Sequence, residues 1–138
     1  MFGSRTQVLV DVDNLDAGRL RLVAAELAGA VEAGRAPRIV VAGSAARIVE
    51  QHWPDGAAVL TAGGWQRADA ALAQAYQPDQ EPLVLVSGDG DFSLLAQWHP
   101  GPVLVVGVAG STSSRLANGA AAVVDPVHDG LERLRAWL

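Results

Sequence analysis

Three runs of nearly unbroken apolar residues, at 7–12 (QVLVDV), 82–87 (PLVLVS) and 102–108 (PVLVVGV), constrain this chain more than any other feature. A strand with water on one face alternates apolar and polar side chains. A strand that is apolar at almost every position needs cover on both faces, the situation of a central parallel strand. Between these runs lie segments with apolar residues at helical spacing. Over 16–31, Leu20, Val23, Ala24, Leu27, Ala28 and Val31 form such a stripe, with Asp16 placed to cap it and Gly34 and Pro37 to end it.

Further β-rich runs occupy 38–42, 57–61 and 121–124. Helices are expected at 44–52, 67–76, 91–98, 113–118 and 129–138, with a turn at Gly63-Gly64. Strand and helix alternate throughout. The expectation is a three-layer α/β/α fold, Rossmann-like, with a central and mainly parallel sheet of about five or six strands. The chain has 138 residues, half of them hydrophobic, with no internal repeat or linker, so 1–138 reads as a single domain. The terminal helix, with Leu131, Leu134 and Leu138 at helical spacing, is expected to pack on the sheet, or else to serve a homodimer interface.

Composition narrows the function classes. There is no Cys, so disulfides and thiolate metal sites are excluded. The first residues do not form a signal peptide, and no apolar run is long enough to span a bilayer, so a cytoplasmic protein with no membrane partner is expected. All ten basic residues are Arg, and the net charge is −5. That balance argues against a broad nucleic-acid surface held by charge alone, while leaving room for a small site where a cation supplies the positive charge.

In open α/β sheets, ligands bind outside the carboxyl ends of the strands, where strand order reverses. The acids stand at such places: Asp11 and Asp13 close the first strand, Asp89 and Asp91 follow the PLVLVS strand, Asp125 follows the last, and Asp69 lies in the first turn of a helix. Carboxylates in one cleft repel each other, and a hard divalent cation relieves the repulsion. Asp16, Asp55, Asp79 and Asp129 read as helix caps and loop acids, and Asp91 fits a cap as well as a site. The loop 107–114 (GVAGSTSS) would cradle a phosphate on backbone N–H groups or be a plain Gly/Ser loop. The four Trp read mainly as partly buried packing, although Trp65 could stack a base; His52, His99 and His128 read as surface residues.

Asp11-Val12-Asp13-Asn14-Leu15 resembles the opening D-x-x-N signature of NYN domains, the PIN-like nuclease group that includes LabA-type bacterial proteins. Ser87-Gly88-Asp89-Gly90-Asp91-Phe92 matches their SGDxDF motif. Arg67-Ala68-Asp69 resembles the segment where a basic residue precedes an Asp opening a helix, and 105–116 resembles the late strand and its serine-containing turn. The resemblance implies a PIN-like fold and a Mg²⁺- or Mn²⁺-dependent ribonuclease acting on RNA, single-stranded in all expectation. It implies Asp11, Asp69 and Asp89 as metal ligands and Asp91 as an auxiliary catalytic acid. Asn14, Arg67, Ser87, Ser111, Ser114 and Arg115 would position water, metal ligands or substrate, with Arg19 a further basic group near the site. The family often carries further acids where this chain has Gln74-Ala75 and Ala120-Ala121-Ala122.

Two other readings fit parts of the pattern. One is a catalytically weak or inactive NYN module that binds RNA or a protein. The other is a haloacid-dehalogenase-type phosphatase, with Asp11 as nucleophile and Asp13 as general acid. That chemistry needs a Lys between the motifs, and this chain has none.

Overall fold

The computed structural model describes residues 5–62 and 68–138, and in it every described strand lies in one six-stranded sheet. The strands are β1 (Gln7–Asp11), β2 (Arg38–Gly43), β3 (Ala58–Thr61), β4 (Leu83–Val86), β5 (Val103–Val106) and β6 (Ala122–Val124). Their spatial order is β3-β2-β1-β4-β5-β6, and all neighbours run parallel. The expected three-layer α/β/α fold is present. The helices are α1 (Ala17–Glu32), α2 (Ala45–Val49), α3 (Ala68–Ala75), α4 (Ser93–Trp98), α5 (Ser114–Asn118) and α6 (Glu132–Trp137). The expected turn at Gly63-Gly64 lies outside the described residues.

The apolar runs do what their composition requires. Every residue of β1, β4 and β5 is buried. Alternate side chains enter two separate cores. Val8, Val10, Val84, Val86, Leu104 and Val106 meet α1, α2 and α6 through Leu20, Val23, Leu27, Ile48 and Leu134. Leu9, Leu83, Leu85, Val103 and Val105 face the other way, toward Leu72 of α3, Ala96 of α4 and Leu116 of α5. The apolar side of α6 is taken up here: Leu134 is buried, and Leu131, Trp137 and Leu138 pack against the same core.

Local signals set the helix ends. The Asp16 side chain accepts from the Arg19 N–H at 3.1 Å, a side-chain N-cap. Gly34 closes α1 with a φ of +85°, a conformation that glycine adopts without strain. Two expectations are corrected. His99 is buried, its ring hydrogen-bonded between the Tyr76 hydroxyl at 2.7 Å and the Glu81 carbonyl at 2.7 Å. Trp98 is 75% exposed, because the buried residues around it, Phe92 and Ala96, turn the opposite side of α4 inward.

Asp125 and Arg19 tie the ends of the fold together. The Arg19 guanidinium donates to both Asp125 carboxylate oxygens at 2.8 Å, joining the first turn of α1 to the exit of β6. Asp125 also accepts from the backbone N–H groups of Ala109, Val127 and His128. Arg19 holds this carboxyl well below the usual carboxylate range; the N–H donors add to the effect and burial opposes it. A carboxyl with a folded pKa below its unfolded value near 3.9 adds stability above pH 4 and loses it as the pH falls. Asp125→Asn is expected to lower the unfolding free energy at pH 7 by on the order of 2–3 kcal/mol in urea titrations, a difference that shrinks below pH 4. An unchanged urea midpoint at pH 7 would show that the pair does not stabilise the fold.

Candidate metal centre

Strand order reverses between β1 and β4, so the loops leaving these two strands diverge and open a crevice at their carboxyl ends. Register then decides which side chains meet. Val10 pairs with Val86, which brings Asp11 level with Ser87. Both side chains share the face that buries Leu9 and Leu85, the side of α3, α4 and α5. The Ser87 hydroxyl donates to Asp11 Oδ2 at 3.2 Å and accepts from the Asp89 N–H at 3.1 Å.

After Ser87 the chain turns tightly. Asp89 Oδ1 accepts from the Asp91 N–H at 2.9 Å, and residues Gly90–Phe92 form one 3₁₀ turn that leads into α4. The turn carries Asp89 and Asp91 to one side, where Asp69, in the first turn of α3, joins them. One carboxylate oxygen from each of Asp69, Asp89 and Asp91 lies within 4.8 Å of the other two. Asp69 and Asp89 are half-buried, and Asp91 is exposed.

This trio differs in one member from the expected ligand set. Asp91, expected as an auxiliary acid, is one of the three. Asp11, expected as a ligand, stands behind them, 4% exposed and linked to Asp89 through Ser87. Burial pushes the Asp11 carboxyl up to about 6; the Ser87 hydrogen bond opposes this, and the charges of Asp13 and Asp89 add to it. A cation beside the cluster would relieve that repulsion. Three carboxylate oxygens with no nitrogen or sulfur ligand suit Mg²⁺ or Mn²⁺. The donor set therefore fits the implied metal.

The other expected site residues fall into place unequally. The Asn14 side chain accepts from the Gly88 N–H at 2.8 Å, so it shapes the loop that bears Asp89. Asp13 accepts from the backbone and hydroxyl of Ser44 at 3.0 and 2.8 Å and ties the loop after β1 to the start of α2. Arg19 is held in its pair with Asp125, away from the role of a basic group at the site, and Asp125 is structural. Arg67 and Trp65 lie outside the described residues. Ser111 and Ser114 are exposed.

Several N–H groups of the 107–114 loop are already taken by the protein itself and so do not face a phosphate. Ala109 donates to Asp125, Ser111 to the Val108 carbonyl and Ser113 to the Gly88 carbonyl. Sequence reasoning missed Ser113. A Cβ built on Gly90 would lie 2.8 Å from Ser113 Oγ and 3.3 Å from Arg115 Nη2. The glycine between Asp89 and Asp91 thus lets a hydroxyl and a guanidinium close in on the backbone between the two acids. The signal available was that Ser113 opens the helix expected at 113–118, where serine is a common cap; in the structure it stands just before α5.

No protein-family model matches this chain, and no curated protein does. Among solved structures, a protein of unknown function from Vibrio parahaemolyticus is similar over 92% of this chain and 95% of its own, with a TM-score of 0.63 and 25% identity. That likeness supports the fold. Among the described residues, no helix is long and apolar enough to cross a membrane.

Partners that orient ligands are commonly worth 10- to 100-fold in metal affinity. Ser87→Ala removes the hydroxyl shared by Asp11 and the Asp89 N–H. It is expected to weaken Mn²⁺ binding by roughly tenfold in calorimetric titration, and to lower stability by about 1–2 kcal/mol because the buried Asp11 loses its donor. Undiminished Mn²⁺ affinity would remove Ser87 from the site.

Proposed function

We propose that this chain is a metal-dependent ribonuclease of the NYN or PIN-like kind, acting on RNA phosphodiesters in the cytoplasm. The observation that carries the reading is the convergence of Asp69, Asp89 and Asp91 at the crevice between β1 and β4. The SGDGDF segment, which resembles the family motif, supplies two of those three acids.

The roles divide by geometry. Asp69, Asp89 and Asp91 would hold the cation. A Mg²⁺ or Mn²⁺ ion held there would supply Lewis acidity toward the phosphate and the attacking water. Ser87 fixes the backbone of Asp89 against Asp11, and Asn14 fixes Gly88, so the acid-bearing loop is positioned before substrate arrives. Arg115 lies against Gly90 and would offset the negative charge that a phosphate brings to three carboxylates.

Purified protein incubated with single-stranded RNA and Mn²⁺ is expected to cleave it. EDTA should abolish cleavage, and Asp89→Asn should reduce it by about a hundredfold. Cleavage that is unchanged in Asp89→Asn would remove the site from the reaction. RNA binding with no cleavage in Mn²⁺ or Mg²⁺ would establish the binding module instead. Turnover of a small phosphomonoester, abolished by Asp11→Asn, would point to the phosphatase.

A further inference from the structure

The acid trio opens into a second feature. A groove of about 580 Å³ runs between α4 and α5, and Asp91 and Gly90 form part of its lining. Away from Asp91 its walls change character: Leu94 and Gln97 come from α4, Arg115 and Asn118 from α5, and among the described residues no other carboxylate lines it. The two helices can lie this close because of Gly119, where an added Cβ would sit 3.2 Å from the Gln97 backbone nitrogen and 3.4 Å from Ala96 Cβ. Leu94 is 68% exposed. Trp98, one helical turn further along the same face of α4, is 75% exposed. Leu94 and Trp98 thus leave an apolar face of α4 open at the edge of a groove of mixed polarity, where an occupant can pack.

We propose that this groove seats the single strand of RNA that flanks the scissile phosphate, with Arg115 on the neighbouring phosphate and Trp98 stacking a base. The inference rests on the ribonuclease reading and adds to it the path of the substrate. The occupant follows from the chemistry of the walls together with that of the exposed Trp98 beside them. A guanidinium pairs with phosphate oxygens, carboxamides such as Gln97 and Asn118 offer donors and acceptors to sugar and base edges, and an open indole stacks any base. A strand laid in this groove continues directly to the carboxylates, because Asp91 belongs to both. The mode is single-stranded: the base must be unpaired to present its face to Trp98. It also answers the charge problem of an acidic chain, since one Arg and a stacking surface replace a broad basic patch.

The test separates binding from cleavage. Fluorescence anisotropy with a labelled single-stranded oligonucleotide in EDTA reads the groove alone. Both Arg115→Ala and Trp98→Ala are expected to weaken binding by about tenfold, and Trp98→Phe to retain most of it. Arg115→Ala should also lower the slope of log affinity against log salt by about one. Both residues are exposed, so neither variant should disturb the fold. Wild-type affinity in both alanine variants would overturn the groove, even if the protein cleaves RNA. Binding that depends on Arg115 and Trp98 in a protein that never cleaves would leave the groove standing and the nuclease reading fallen. Affinity for duplex RNA equal to that for the single strand would overturn the stacking role.

Discussion

Two buried parallel strands lying side by side govern what the rest of this molecule can be. β1 and β4 are covered on both faces and paired in register from Gln7 with Leu83 to Val10 with Val86. Neither strand can tolerate an unpaired polar group along its length, so polar function is displaced to their ends. Because the strands are parallel, both ends emerge at one edge of the sheet. Because strand order reverses between them, the following segments part and leave a crevice there. The acids after each strand are therefore brought together by the same packing that builds the core.

That arrangement carries an electrostatic cost. Asp11 is almost fully buried and faces the charges of Asp13 and Asp89, which is why its carboxyl is held up near 6. The cost is met in three ways. Ser87 donates to Asp11, Asp13 is engaged by Ser44, and backbone N–H groups serve Asp69 and Asp89. Hydrogen bonds of this kind hold side chains in place before any ligand arrives.

The fold was legible in the sequence because its strongest signals are local. Double-sided burial shows in unbroken apolar runs, and the limits of α1 show in Asp16 and Gly34. The place of the site was legible too, since acids after apolar strands can stand only at strand ends. Membership of the site was less so. A single 3₁₀ turn over Gly90–Phe92 brings Asp91 forward beside Asp89, while Asp11, the last residue of β1, stays in the buried layer. Such turns depend on hydrogen bonds two or three residues long, which composition does not encode. The pairing of Arg19 with Asp125 joins residues 106 positions apart, so no local pattern could reveal that both are structural. The exposure of Trp98 was hidden for a different reason. Its size argued for burial, while the spacing of Phe92 and Ala96 already assigned the inward side of α4 to other residues.

The disposition of the arginines bears on how an acidic chain could meet a polyanion. Arg19 stands near the strand ends, yet its guanidinium is held by Asp125 and Asp16. Releasing it would unpair a buried carboxylate, so it is a poor reserve of positive charge. Arg115 differs because it stands on a short exposed helix and approaches the backbone at Gly90, where the absence of a side chain admits it. A larger residue at position 90 would push this guanidinium away from the acids. The glycine inside the SGDGDF segment therefore has a spatial role: it sets how near a cationic side chain can come to carboxylates that would themselves bind a cation. Too close an approach would let Arg115 compete for the acids, and too distant a one would leave an incoming phosphate without a partner. The position of α5, fixed by the close contact at Gly119 and by the Ser113 N–H on the Gly88 carbonyl, decides between the two.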